Sequence, residues 1–253
     1  MKITFLGTSH GVPTKDRYCQ SMLIEFGENA YLVDAGAPVM DLLIRQDFDL
    51  KRLKAIFITH MHGDHIHGLP EIMDLASWYY KEMDLDVYMT EERLAESIEF
   101  LLSEYPNERV RRHLIAPGRI YQRGGLTVTA FPTAHMEAKM RPAYGFLLES
   151  DGQKLYISGD LNPERIDYPE FLNEEPVDLF VVECAHFPAE TLLEKLRICK
   201  AKRTAVVHVS PVEKYEILGA AGETLPMELL LPKDGETFDV GIDKSEKYVC
   251  IPG

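Results

Sequence analysis

No run of about 18 apolar residues, the minimum for a helix crossing a membrane, occurs in the sequence, so no span is expected. The four cysteines (Cys19, Cys184, Cys199, Cys250) are scattered and lack C-x-x-C spacing. That pattern favours reduced thiols in a cytoplasmic protein over a disulfide framework. No charged-then-apolar leader opens the chain, because residues 2–6 already read as a strand, a second ground for a cytoplasmic expectation. No Gly- or Ser-rich linker divides the 253 residues, and single α/β or all-β domains reach that length, so one domain over residues 1–253 is expected. Positive charge is scarce: 27 Lys and Arg stand against 41 Asp and Glu, a net charge of −14. Such a surface repels nucleic acid and anionic lipid at long range unless a local basic patch compensates. The candidate patch is Arg109, Arg111, Arg112, His113 and Arg119, and its plain reading is a solvated helix end or loop face.

Against these absences stands one dense stretch, His60-Met61-His62-Gly63-Asp64-His65. Residues 53–59 before it form an apolar run that reads as a buried strand. Leu69, Ile72, Met73, Ala76 and Tyr80 after it fall at helical spacing. Imidazole and carboxylate are the usual ligands of zinc and related divalent ions. Residues two apart in an extended segment point the same way, so His60 and His62 can grip one ion. Asp64 and His65, where the chain turns, can face a second. Four such side chains in six residues make a metal site the better reading of this loop.

Other strand ends carry similar residues. Asp34 closes a strand at 29–33, His135 follows one at 126–131, Asp160 follows one at 154–158, and His208 sits in one at 203–209. Helices are predicted at 39–45, 91–104 and 189–200, and short strands at 19–25, 85–89, 143–149 and 177–183, with two more around Asp234-Gly235. Taken singly, each later histidine or aspartate has a structural explanation. Sheets, however, align strand ends along one edge, where loop-borne ligands converge.

The pattern H-x-H-x-D-H followed by H, D and H, here His60, His62, Asp64, His65, His135, Asp160 and His208, resembles the metallo-β-lactamase superfamily. The resemblance covers nearly the whole chain and implies an α+β fold, the αββα four-layer sandwich of two packed mixed sheets flanked by helices. It implies that His60, His62 and His135 bind one divalent ion and Asp64, His65 and His208 a second, with Asp160 bridging. Zinc is the first expectation, with manganese or iron equally suited to such ligands. Phe5-Leu6-Gly7-Thr8-Ser9, Gly11-Val12-Pro13-Thr14 and Ala143-Tyr144-Gly145-Phe146 look like the ribonuclease Z and cyclic-nucleotide phosphodiesterase branch. Val182-Glu183-Cys184-Ala185-His186 is similar to a segment of the small cyclic phosphodiesterase of phosphonate degradation.

The glycine- and proline-rich arm with which ribonuclease Z holds transfer RNA is not visible, and Pro188-Ala189-Glu190-Thr191 occupies the neighbourhood of its His-Ser-Thr motif. The expectation is therefore a phosphodiesterase acting on small or cyclic phosphate esters through a hydroxide shared by two ions, with nucleic acid not a partner. Alternatives are a carbonyl hydrolase (thioester, lactone or β-lactam), a ribonuclease Z-like RNA endonuclease, and a binding module without turnover. Asp64 is expected to orient the hydroxide with its free oxygen. His186 is either the general acid or a structural histidine. Asp34 is expected to fix a ligand tautomer, His10 and His67 to be rim bystanders, and residues 78–119 to be a possible lid. A homodimer is the default assembly.

Overall fold

Strands that are buried on both faces carry near-continuous apolar runs instead of an alternation, and most strands of this protein are of that kind. The computed structural model describes residues 1–104 and 107–241. In chain order the strands are β1 (Lys2–Gly7), β2 (Ser21–Phe26), β3 (Asn29–Val33), β4 (Leu53–Phe57), β5 (Leu85–Met89) and β6 (Val110–Leu114). They continue as β7 (Gly118–Arg123), β8 (Leu126–Thr133), β9 (Ala143–Ser150), β10 (Gln153–Ile157), β11 (Leu179–Cys184), β12 (Arg203–Val209), β13 (Glu228–Leu230) and β14 (Thr237–Asp239). The helices are α1 (Val39–Arg45), α2 (Gly63–Ile66), α3 (Leu69–Trp78), α4 (Glu92–Glu99), α5 (Ala189–Leu196) and α6 (Lys214–Ala221).

Among the described residues the strands form two seven-stranded sheets, ordered β14-β1-β2-β3-β4-β5-β6 and β13-β12-β11-β10-β9-β8-β7. Alternate side chains of the first sheet, Ile3, Phe5, Ile24, Tyr31 and Phe57, meet Val128, Phe146, Leu155, Val181 and Val207 of the second in a shared core. The opposite alternation, Leu23, Leu32 and Ile56, packs under α1 and α3 through Val39, Leu43, Leu69 and Ile72. Tyr156, Phe180 and Val206 on the outer face of the second sheet bury Leu192, Leu193 and Leu218 of α5 and α6. Two sheets between two helical layers is the αββα sandwich that the family resemblance implies.

Pairing directions decide where function sits. β3, β4, β5 and β6 run parallel, as do β10, β11, β12 and β13. β8 and β10 both run antiparallel to β9, so they share a direction. The carboxyl ends of β4, β8, β10, β11 and β12 consequently open on one rim.

Several expectations change. The basic stretch is not a loop face: Arg111, Arg112 and His113 lie in β6, and the described residues between 78 and 119 include β5, α4, β6 and the start of β7, elements of the sandwich instead of a separate lid. Asp86 accepts hydrogen bonds from Arg111 Nε (2.9 Å), His113 Nε2 (2.7 Å) and Arg123 Nη1 (2.9 Å), and Arg112 pairs with Glu92 and Glu99. Arg111, Arg112 and His113 are thus paired with carboxylates, whereas Arg109 donates to the carbonyls of Lys81 and Ser77. The helices expected over 91–104 and 189–200 stop at Glu99 and Leu196. The two C-terminal strands are present where expected, β13 joining β12 and β14 joining β1. Cys19, Cys184 and Cys199 are buried and free, and Cys250 lies outside the described residues. Among the described residues no helix is long and apolar enough to cross a membrane.

Candidate metal centre

The chain leaves β4, reaches the rim, and turns into α2 at Gly63 within a few residues. This tight exit buries His60 and His65 and leaves His62 and Asp64 half-buried beside them. Gly36 makes the turn possible: a Cβ there would lie 2.2 Å from the Asp64 carbonyl oxygen. His62 Nδ1 lies 2.9 Å from His60 Nε2 and 3.3 Å from His135 Nε2. Asp160 Oδ2 approaches the same group, 3.6 Å from His60 Nε2 and 3.7 Å from His135 Nε2.

The other oxygen of Asp160 turns to a second group. Its Oδ1 is 3.6 Å from His65 Nε2 and 3.7 Å from His208 Nδ1. Asp64 Oδ2 closes that group, 3.3 Å from His65 Nε2 and 3.1 Å from His208 Nε2. The ligand-type atoms of His60, His62, His135 and Asp160 lie within 4.8 Å of one another, as do those of Asp64, His65 and His208. Asp160 is delivered there by Gly159, whose φ of +59° and 2.8 Å approach of a notional Cβ to the Tyr144 carbonyl leave no room for a side chain.

Two features test whether cations fit. His65 Nε2 and His208 Nδ1 are buried with no hydrogen-bond partner, a situation costing about 1–3 kcal/mol per group if left so. Both face Asp160 Oδ1, and one divalent cation would satisfy them together. Ligation needs neutral imidazoles and ionised carboxylates, and most of the set is poised that way. His65 is the exception, because Asp160 and Asp34 outweigh its burial and hold it well above its ordinary value, so an ion would have to displace its proton. Burial holds His60 well below its ordinary value and His62 at about 4, and it lowers His135 as well. Burial works to raise Asp160, but His208, His65 and His60 outweigh it and keep that carboxyl well below its usual range. Asp64 is likewise lowered by His208 and His65 against its own burial. The donor set fits a pair of ions.

Supporting residues orient this set. Asp34, fully buried at φ 60°, accepts from His65 Nδ1 (2.8 Å), Thr59 N (2.8 Å) and Thr59 Oγ1 (3.0 Å). Its carboxylate holds the proton of His65 on Nδ1 and turns the lone pair of Nε2 to the centre. His186 comes within 3.9 Å of Asp160 Oδ2 through Nδ1, and that nitrogen is 2.8 Å from Glu183 Oε1. Burial works to lower the His186 imidazole, but Glu183 outweighs it, so His186 stands above its ordinary value. The 184–187 loop is anchored by Lys214, whose ammonium donates to the carbonyls of Cys184 (2.9 Å), Ala185 (3.2 Å) and Phe187 (2.7 Å).

All seven residues named from the sequence meet at one rim, with His186 beside them. The cleft over them, about 270 Å³, is lined also by His10, Gly11 and Ser210. His10 is therefore part of the wall and not a bystander, whereas His67 is not among the lining residues. Glu183, Thr59, Lys214 and Lys139, whose Nζ lies 3.4 Å from His62 Nε2, were not marked as site residues by sequence reasoning. Only Glu183, three residues before His186, offered a signal.

With the geometry in hand, comparison with known proteins is direct. A family model described as "Anti-Pycsar protein Apyc1" matches residues 1–198. Ribonuclease Z of Microcystis aeruginosa is 35% identical over 151 residues, 58% of this chain and 46% of that protein. The chain spans about half the length, or less, of the first ribonuclease Z relatives it matches. YhfI from Bacillus subtilis, a metallo-β-lactamase fold protein, superposes with a TM-score of 0.77 at 18% identity, covering 94% of this chain and 98% of that one. The short form of human tRNase Z superposes with a TM-score of 0.74 at 21% identity, covering 96% and 100%.

Proposed function

Since the chain belongs to the Apyc1 family, within the ribonuclease Z-like branch of the metallo-β-lactamase superfamily, we propose that it is a dinuclear metal-dependent phosphodiesterase acting on small or cyclic phosphate esters. The observation that carries the reading is Asp160, whose two oxygens each address a separate group of imidazoles. His60, His62 and His135 would hold one ion with Asp160, and Asp64, His65 and His208 the other. Bound there, two divalent cations supply an activated water and offset the negative charge gathering at phosphorus. Zinc heads the expected metals, with manganese or iron served by the same ligands.

The chain's own residues do the rest. Asp64 keeps a second oxygen with which to orient the attacking water. His186, whose imidazole Glu183 raises above its ordinary value and fixes in place, faces the cleft and delivers a proton to the departing ester oxygen. Gly11 N donates to Asp64 Oδ2 at 3.0 Å and holds that carboxylate in place. Residues 1–253 act as one hydrolase domain, in a cytoplasmic setting that keeps the buried thiols reduced.

The exclusion of nucleic acid finds no support, because relatives are named ribonucleases. Cleavage of an RNA phosphodiester is accordingly the second reading. The test is purified protein with its metal content measured, offered cyclic nucleotide monophosphates, a bis(aryl) phosphodiester, a 3′-extended RNA, a thioester and a β-lactam. Turnover of the small phosphoesters with two ions per chain is expected. Cleavage of RNA alone would replace the first reading with the second, and turnover of carbonyl substrates alone would overturn both.

A further inference from the structure

The loop at 134–141 runs from His135 to the start of β9 and is held at both ends. Asn162 Nδ2 donates to the Ala134 carbonyl at 3.3 Å, Glu137 pairs with Arg165, and Arg141 Nε lies 2.6 Å from Glu91 Oε1. Between these attachments lies a short helical turn, Glu137–Lys139, whose last residue approaches His62, a wall residue of the cleft. The loop's two basic residues differ: Arg141 is matched by a carboxylate, while among the described residues none lies within ion-pair distance of Lys139. Other lysines of the described chain also lack an ion pair, and what sets Lys139 apart is its place against a residue of the candidate centre. Its nearest polar contact is His62 Nε2, at 3.4 Å.

That contact cannot survive loading of the site. A neutral imidazole has one N–H and one lone pair. His62 presents Nδ1 to His60 and His135, so ligation through Nδ1 places the ring proton on Nε2. Two donors then face each other, and the ammonium loses its acceptor. The Lys139 stem is flexible and its head is a compact point charge of the kind that binds phosphate. Lys139 is exposed, so water takes the vacated place until an anion beside His62 supplies a charged acceptor.

Resting on the phosphodiesterase reading, we propose that Lys139 is a specificity-determining residue. Its ammonium binds an anionic phosphoryl oxygen on the His62 side of the cleft and selects charged phosphoesters over neutral carbonyl esters. The Glu137–Arg165 and Arg141–Glu91 pairs hold the loop so that this ammonium stays beside His62.

The test compares metal-loaded wild type, Lys139→Met and Lys139→Arg. Inorganic phosphate binding is followed by calorimetry, metal content by elemental analysis, and turnover with a bis(aryl) phosphodiester and a neutral aryl ester. Lys139→Met should weaken phosphate binding and raise KM for the phosphodiester on the order of tenfold. Its kcat should hold, as expected when binding common to ground and transition states is lost. The neutral ester and the metal content should not change, and Lys139→Arg should recover most of the phosphate affinity. Unchanged phosphate affinity in Lys139→Met, or equal rises in KM for charged and neutral esters, would overturn the proposal and return Lys139 to a solvated lysine. Failure of the phosphodiesterase reading would look different: wild type would lack the ion pair or ignore phosphodiesters, and the phosphate titration would still judge Lys139.

Discussion

Replacing Asp34 by Asn tests whether the centre depends on a carboxylate that touches no ion. The exchange conserves volume and keeps an oxygen for Thr59 N, now 2.8 Å from Oδ1. It places an amide NH₂ where His65 Nδ1 donates at 2.8 Å. Donor then meets donor, and the ring escapes by moving its proton to Nε2. That atom is the buried, partnerless nitrogen facing Asp160 and Asp64, so the second group loses one ligand lone pair. Groups that orient a ligand imidazole are worth about 10–100-fold in metal affinity, or roughly 1.4–2.8 kcal/mol. The first group does not include His65 and should be spared. Dialysis against graded chelator, followed by elemental analysis, should show wild type giving up both ions together. The variant should release one ion at 10–100-fold lower chelator strength. Fold stability without metal should change little, because burial already pushes the Asp34 carboxyl up and an amide is cheaper to bury. Equal retention of both ions by Asp34→Asn would refute the tautomer argument.

Asp160→Ala should remove at least about 10³-fold of phosphodiesterase activity and lower metal content while circular dichroism stays native; full activity would end the two-ion mechanism. His186→Ala should slow esters with poor leaving groups by roughly 10²-fold or more and leave activated aryl esters nearly untouched; equal slowing of both would make His186 structural. The metal-free protein should lose stability in acid. Burial holds His60 far below its ordinary value and His62 at about 4, whereas the unfolded chain titrates near 6.5. Between those values the unfolded state binds more protons, so stability present above pH about 6.5 is lost as pH falls toward about 4. His65 and His186, held above their ordinary value, contribute in the opposite sense, losing stability as pH rises past them. Thermal melts of chelated protein should drop by several degrees between pH 6.5 and 4.5, on the scale of about 2–4 °C per kcal/mol; a flat profile would contradict the assignment.

Legibility in the sequence followed the range of each interaction. The histidine loop was readable because strand, ligands and helix follow one another within residues 53–80, and β3, β4, β5, β12 and α1 fall where apolar periodicity places them. β6 was missed because Arg111, Arg112 and His113 look solvated in one dimension. Their burial depends on Asp86, Glu92 and Glu99, met only in the folded sheet. α6 escaped because Leu218 is its one buried residue, leaving almost no apolar stripe. Pairing of β14 with β1 joins Lys2 to Asp239, a register that no local pattern encodes. Lys139 gave no signal, since its partner His62 lies 77 residues away.

The same distances explain how the centre and the fold depend on each other. His60, His62, Asp64 and His65 hang from the first sheet, whereas His135, Asp160 and His208 hang from the second. Asp160 touches both sets, so ions held there would fasten the sheets together at the rim, beyond the apolar core between them. Ions that bind only the native state stabilise it by mass action, so metal loading should raise melting temperature as well as enable chemistry. Substrate choice, by contrast, need not involve the sheets at all. On the proposal made above it would fall to the loops at 134–141 and 184–187, which carry their own ion pairs and carbonyl anchors. One scaffold can therefore keep its ligands and change its substrate, and the lysine over His62 and the histidine beside Glu183 are where this chain would have made that choice.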